Sequence, residues 1–254
     1  MIFCNLGSGS KGNSTFIKYN NTAVLIDQGF SIKEIVRRLN QRDLNPLDIK
    51  AIILTHEHSD HISGVAPFAR RYKIPVYMTE LTYRVIKQNQ FNNVHIKTFT
   101  SGESFKIFDL GIKTFKIPHD AADPIGLVIS SGGKSIGILT DIGSPIESLF
   151  QHIDNVNLLL LESNHDLFML LNGPYPLNVI QRIKSRLGHL SNDQALYFFR
   201  KVSQNTNTKY IVIGHISETN NDPMIINEMF SKENNKRIKI EIARQNYPSN
   251  VIKI

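Results

Sequence analysis

The sequence predicts an α/β domain whose chemistry gathers at the ends of buried strands. Two observations carry that reading. Four short segments are almost wholly apolar and each ends in polar residues: 51–54 before Thr55-His56, 135–139 before Thr140-Asp141, 157–161 before Glu162, and 210–213 before Gly214-His215. Continuous apolar runs of this length suit strands covered on both faces. Between them lie stretches with apolar residues at helical period. Ligands of α/β sheets collect beyond the carboxyl ends of the strands. Four strands that each deliver a candidate ligand are the strongest organisational signal in the chain.

The first third alternates strand and turn. Residues 2–6 read as a strand and Gly7-Ser8-Gly9-Ser10-Lys11-Gly12-Asn13 as a glycine-rich loop. Residues 15–19 and 22–27 form a hairpin around Asn20-Asn21, a favoured turn pair. Ser31 with Glu34 has capping-box spacing before the helical positions Ile32, Ile35, Val36 and Leu39, and Pro46 marks the next turn. Further helices are expected at 62–71, 81–90, 177–186, 193–204 and 223–232, with strands near 113–117 and 127–130. No Pro/Gly/Ser-rich linker or charge block marks a boundary. Residues 1–254 therefore read as one domain, built from two similar βα halves packed sheet to sheet.

Bulk properties narrow the function classes. At 254 residues and 41% hydrophobic content the chain can bury a substantial core. A single cysteine, Cys4, excludes an intrachain disulfide and agrees with a reducing compartment; within its apolar run it reads as a small buried strand residue. The start lacks a secretory pattern and the longest apolar run is too short to span a bilayer, so a soluble, cytoplasmic protein without a membrane partner is expected. The net charge of +7 favours a polyanionic substrate such as nucleic acid. The basic residues are nonetheless dispersed, with Arg37-Arg38 and Arg70-Arg71 the only arginine doublets.

The segment Thr55-His56-Glu57-His58-Ser59-Asp60-His61 places three imidazoles and an aspartate on one loop after a buried strand. Imidazole and carboxylate suit Zn, Mn or Fe. One loop cannot aim four ligands at one ion without strain, so the reading divides them between adjacent ions, His56 with His58 and Asp60 with His61. His119, Asp141 and His215 are candidates to complete the spheres, with Asp141 suited to bridging. His95 and His152 sit in ordinary surroundings and read as structural.

His56-x-His58-x-Asp60-His61 resembles the signature of the metallo-β-lactamase superfamily, and Asp27, His119, Asp141 and His215 fall in the order of its remaining motifs. That resemblance implies a four-layer αββα fold with two mixed sheets face to face, and two divalent metal ions as cofactors. Diiron flavoprotein relatives carry a carboxylate where His58 stands, which argues against a redox role. The glycine-rich loop through Ser14, Leu161-Glu162-Ser163-Asn164-His165-Asp166, Gly173-Pro174-Tyr175-Pro176, Gly188-His189-Leu190-Ser191-Asn192 and His215-x-Ser217 resemble the YycJ/WalJ (VicX) family. Members of that family are described as metal-dependent nucleases, including 5′-to-3′ exonucleases acting on DNA. The chain has no room for the β-CASP clamp domain of other nucleic-acid-processing relatives, nor a tRNase Z-type arm. Grip on the substrate must then come from the core surface or a partner subunit, with a homodimer as one arrangement that supplies it.

The mechanism this implies is a hydroxide shared by two ions roughly 3.5–4 Å apart attacking a phosphodiester. Asp60 is assigned a catalytic as well as a ligating part. His189 is the candidate proton donor to the leaving oxygen, with His165 as alternate. Asp27 and Glu162 are expected to orient the ligands. Ser8, Ser10, Asn13, Ser14 and Asn164 are candidates for binding phosphate, and Tyr175 for stacking on a base. DNA is the favoured substrate and RNA the alternative polymer. Competing readings are a hydrolase of a small phosphodiester or thioester and a metal-bound regulatory protein without turnover.

Overall fold

The computed structural model describes residues 1–234 and 237–254. Its strands are β1 (Ile2–Gly7), β2 (Ser14–Tyr19), β3 (Thr22–Ile26), β4 (Ile49–Ile53), β5 (Val76–Thr79), β6 (Ile96–Phe99), β7 (Ser104–Ile107), β8 (Leu110–Lys116), β9 (Ile125–Ser131), β10 (Lys134–Leu139), β11 (Leu158–Glu162), β12 (Tyr210–Gly214), β13 (Lys239–Ile242) and β14 (Ile252–Lys253). Its helices are α1 (Ile32–Asn40), α2 (Ser59–Ile62), α3 (Val65–Tyr72), α4 (Glu80–Val85), α5 (Phe150–Ile153), α6 (Leu167–Asn172), α7 (Leu177–Lys184), α8 (Asn192–Ser203) and α9 (Pro223–Glu233). None among the described residues is long and apolar enough to cross a membrane.

The strands form two seven-stranded sheets, ordered β14-β1-β2-β3-β4-β5-β6 and β13-β12-β11-β10-β9-β8-β7. Each contains an antiparallel meander that continues into parallel strands, from β3 onward in the first and from β10 onward in the second. The period-2 alternation of strand side chains divides the apolar runs between two faces. Ile138, Leu160 and Val212 stand in register and meet Val24, Ile26, Ala51 and Ile53 of the other sheet between the layers. The intervening Leu159, Leu161, Ile211 and Ile213 pack beneath Phe150, Phe198 and Phe230 of α5, α8 and α9. Leu25, Ile52 and Leu54 pack beneath Ile35, Leu39 and Phe68 of α1 and α3. This is the expected helix–sheet–sheet–helix arrangement. Each such Leu or Ile contributes about 1.5–3 kcal/mol by leaving water.

Several local expectations are altered by tertiary contacts. The helix expected at 62–71 is two helices, because the chain breaks at Gly64, which caps α3. A Cβ at Gly64 would lie 1.8 Å from the Phe30 carbonyl oxygen, so only glycine lets the loop after β3 approach there. The helix expected at 81–90 stops at Val85, where Ile86 turns extended and packs on the first-sheet core. Ser31 caps α1 through the Glu34 amide, but the Glu34 carboxylate turns to Arg37 and Arg38 instead of completing the box. The complete capping box is Ser191 with Gln194 at α8. β5, β6, β7, β13 and β14 were not legible as strands; each has four residues or fewer, and pairing rather than its own pattern defines it.

Cys4 is fully buried in β1, and burial pushes its thiol up to about 11. The folded protein is expected to leave this thiol unreacted by a chromogenic disulfide reagent at mildly alkaline pH, and to titrate its single cysteine only after denaturation. Rapid labelling without denaturant would contradict the placement of β1.

Candidate metal centre

The residues singled out on the loop after β4 meet those that follow β3, β8, β10 and β12 at the carboxyl ends of both sheets. Three of these strand-end residues hold left-handed backbone: Asp27 (φ 58°), Asp141 (φ 58°) and His215 (φ 53°). Such conformations cost about 1–2 kcal/mol each for an L-residue and persist where surrounding contacts impose them. At Asp27 those contacts are explicit. Its carboxylate accepts the Thr55 amide (2.8 Å), the Thr55 hydroxyl (2.9 Å) and His61 Nδ1–H (2.8 Å), tying β3 to the start and end of the histidine loop.

Each histidine of the cluster has one ring nitrogen held by the protein and the other turned inward. His56 Nδ1 donates to Thr55 Oγ1 (3.0 Å), whose own proton is committed to Asp27. His58 Nε2 donates to the Asp120 carbonyl (3.2 Å), His119 Nδ1 to the Gly188 carbonyl (3.1 Å) and His215 Nδ1 to Glu162 Oε1 (3.2 Å). These bonds fix the tautomers so that lone pairs point into a common space, as orienting partners do around metal-binding imidazoles.

Four overlapping groups of ligand atoms result, two of them containing Asp141. His56, His58 and His119 offer ligand atoms all within 4.8 Å of one another, and so do Asp60, His61 and His215. His119 Nε2 is 3.3 Å from His58 Nδ1, and His61 Nε2 is 3.3 Å from Asp60 Oδ2. Two ligand atoms on one tetrahedral ion at ~2.05 Å would lie about 3.3 Å apart. Asp141 sits between the His56/His58/His119 and Asp60/His61/His215 groups, with Oδ1 at 3.2 Å from His215 Nε2 and 3.9 Å from His119 Nε2, and Oδ2 at 3.4 Å from His61 Nε2. His56 Nε2, His215 Nε2 and Asp141 Oδ2 are sealed from solvent with no hydrogen-bond partner among the described residues. Orphaned lone pairs that converge in this way cost free energy unless a cation receives them. The cluster thus suits divalent metal ions.

The electrostatics agree. Burial, reinforced by His61, His119 and His58, holds His56 well below the ordinary imidazole range. For His61 burial works in the same direction, but Asp141 and Asp27 outweigh it and hold it well above that range. Burial would raise Asp60 and Asp141, yet the neighbouring imidazoles keep both below the usual carboxylate range. Without a cation the buried carboxylates hold a proton on His61, and a metal ion entering the same negative potential would displace it.

Comparison with known proteins accords with this geometry. The β-lactamase superfamily domain matches residues 22–216. Exodeoxyribonuclease WalJ of Streptococcus pneumoniae is 36% identical over 222 residues, covering 85% of this chain and 81% of WalJ. Exodeoxyribonuclease YycJ of Bacillus anthracis is 33% identical over 222 residues, covering 86% and 83%. The chain belongs to the WalJ/YycJ family of the metallo-β-lactamase superfamily. In three dimensions it resembles the metallo-β-lactamase fold protein YhfI from Bacillus subtilis, with a TM-score of 0.72 and 14% identity over 98% of this chain and 99% of that one.

Around this WalJ/YycJ-type cluster the remaining expected residues sort by what they touch. Glu162 is fully buried; Oε1 accepts from His189 Nδ1 (2.7 Å) and His215, while Oε2 accepts the Ile142 amide (2.7 Å). His189 lies against the His215 ring at 5.1 Å and 22°, at the edge of the cluster, and among the described residues its hydrogen bond is made through Nδ1 and not Nε2. His165 is buried, and burial lowers it to about 4, which leaves it uncharged at neutral pH and a poor proton donor. Most of the phosphate candidates instead bracket the ligands. Ser8 Oγ accepts the His215 amide (2.8 Å), Asn13 Nδ2 donates to Asp60 Oδ2 (2.9 Å) and lies 2.9 Å from His61 Nε2, Ser14 donates to the Asp27 carbonyl (2.9 Å), and Asn164 to the His215 carbonyl (3.0 Å). Ser10 alone of these is exposed.

The sequence reading did not assign Asp120 or Arg182. Asp120 Oδ1 is sealed, unpartnered and 3.5 Å from His119 Nε2, while Oδ2 accepts from Arg182 Nε (2.5 Å). Asp120 was within reach as the neighbour of His119; Arg182 on α7 carried no sequence signal. Asp27→Asn keeps the shape and the tolerance for left-handed backbone but cannot accept all three bonds. It is expected to fold and to bind metal about 10–100-fold more weakly in competition with a chromogenic chelator. Unchanged affinity would remove Asp27 from the support of the cluster.

Proposed function

We propose that this protein is a metal-dependent nuclease that degrades DNA from its ends in the 5′-to-3′ direction, with two divalent ions at its centre. The observation that carries the reading is Asp141, whose carboxylate faces His119 of one group and His61 and His215 of the other. His56, His58 and His119 would hold one ion, Asp60, His61 and His215 the other, and Asp141 would serve both. The donor set of imidazole and carboxylate fits Zn, Mn or Fe and contains no thiolate, since Cys4 is enclosed in β1. Ions bound there supply Lewis acidity, bringing a water's pKa toward neutrality and countering charge on the phosphoryl oxygens. The exodeoxyribonuclease names of the relatives WalJ and YycJ support a phosphodiester in DNA as the substrate.

The chain's own residues then divide the remaining tasks. Arg182, fastened through Nε to Asp120 at the edge of the cluster, turns its terminal nitrogens to a phosphate. His189, whose Nδ1–H is committed to Glu162, presents Nε2 as the nitrogen from which a proton passes to the departing sugar oxygen. Asn13, bonded to Asp60, and Ser8 and Asn164, bonded to the His215 backbone, keep two of the proposed ligands in place.

End-labelled DNA, RNA and bis(p-nitrophenyl) phosphate, offered with Mn or Zn, test the proposal. The expected result is shortening of DNA from the 5′ end and two metal ions per chain by elemental analysis. Asp141→Asn and His61→Ala should lose activity by a factor of about a thousand or more, and a chelator should abolish it. Arg182→Ala should fall roughly tenfold to a hundredfold, with metal content retained. Hydrolysis of the small ester alone, with every polymer left intact, would overturn the nuclease reading.

A further inference from the structure

Beyond the metal cluster, the surface holds three adjoining cavities that no site residue so far explains. The first, of about 530 Å³, begins at Ser8 and Ser217 and is walled by Met224, Arg244 and Tyr247. Ser8 is the residue whose hydroxyl accepts the His215 amide, so this cavity starts beside the metal centre. The second, of about 500 Å³, shares Arg244 and Tyr247 with the first and adds Arg42 and Ile240. The third, of about 420 Å³, shares Ile240, Glu241 and Asn250 with the second and adds Tyr210, Lys239 and Lys253. Together they form a groove that leaves the carboxyl end of the sheet and runs back along β13.

We propose that this groove is the track for a single nucleic-acid strand extending away from the phosphate cleaved at the metal centre. The inference rests on the nuclease reading above and specifies how that site grips a polymer. Its walls alternate the two groups that single-strand binders need, cations for phosphates and aromatic faces for bases. Tyr247 is 58% exposed and Met224 78% exposed, so both offer uncovered apolar area at the mouth. Arg244 is exposed and makes no side-chain hydrogen bond or ion pair among the described residues. Arg42 donates to the carbonyls of Ser249 and Pro248, which neutralises none of its charge. Further along, the Lys239 ammonium lies 5.4 Å from the centre of the Tyr210 ring. Of the carboxylates lining the same walls, Glu218 is paired with Lys11 (2.5 Å), while Asp222 and Glu241 accept the Met224 (2.7 Å) and Asn250 (2.8 Å) amides and keep their charge, against the cations Arg42, Arg244, Lys239 and Lys253. A peptide adding to the free edge of β13 is less suited, because the segment carrying Asn250 already leans on that strand.

The test uses metal-free protein and a fluorescent single-stranded oligonucleotide, followed by anisotropy across a salt series. Tyr247→Ala is expected to weaken binding about tenfold. Arg244→Ala and Lys239→Ala should each make the log K against log salt slope shallower by about 0.7. Lys134→Ala, exposed at the far end of β10, should bind as the parent protein does. With metal restored, the groove variants should lose far more kcat/KM on the oligonucleotide than on bis(p-nitrophenyl) phosphate. Parent-like binding and slopes in all three groove variants, or no binding by the parent protein, would overturn the track. Normal binding by the parent without polymer cleavage when metal is restored would instead sink the nuclease reading and leave the groove standing.

Discussion

The constraint on which this structure depends is the enclosure of lone pairs. Five imidazoles and two aspartates converge on one space, where His56 Nε2, His215 Nε2 and Asp141 Oδ2 are sealed without a protein partner among the described residues. No short segment can do this alone. The solution is a rim where strands of two sheets end together, so that each ligand enters from a different direction and has a rigid sheet behind it. The left-handed backbone at Asp27, Asp141 and His215 is the local cost of turning side chains inward immediately after a strand. Asp and His tolerate that conformation better than branched residues, which suits them to strand ends that must also bind.

The sheets can carry this cost because their strands are covered on both faces. Alternation sends Leu158 and Leu160 between the sheets and Leu159 and Leu161 under the helices, so β11 is fixed in register from both sides. A slip of one residue would exchange the two sets and also withdraw Glu162 from His189 and His215. Packing and chemistry are therefore coupled at the level of strand register. The close approach at Gly29 shows the same coupling. A Cβ there would fall 1.8 Å from the Asp60 carbonyl oxygen, which Asn13 binds through its amide.

How much of this was legible in the sequence follows from the range over which each feature is specified. His56, His58, Asp60 and His61 announce themselves because they share one loop, and Asp141 and His215 because each follows an apolar run too short to be anything but a buried strand. The buried strands were legible for the same reason, since β4, β10, β11 and β12 carry their burial in their composition, whereas the packing of two sheets face to face was implied by the family resemblance. The short strands β5, β6, β7, β13 and β14 were not, because their partners define them. Arg182 was hidden because only the approach of α7 to Asp120 gives it a role. The loop through Ser8, Asn13 and Ser14 resembled a phosphate cradle, since short polar side chains beside glycines serve either purpose. Burial decides between them, and most of these side chains turn inward to hold Asp27, Asp60 and His215.

That inward turn has a consequence for specificity. With its polar loops committed to holding ligands, the centre presents little that distinguishes one phosphodiester from another, and discrimination passes to surfaces beside it. The dispersed basic residues that gave no patch in the sequence are gathered by the fold, Arg42 from the end of α1 and Arg244, Lys239 and Lys253 from around β13 and β14, along one line that starts next to His215. A centre of generic hydrolytic chemistry attached to a charged and aromatic groove selects by reach. A small ester meets only the centre, whereas a polymer end meets both, and the additional contacts raise its effective concentration at the reacting phosphate without altering the chemistry there. Such a groove favours a strand without calling on a separate clamp domain.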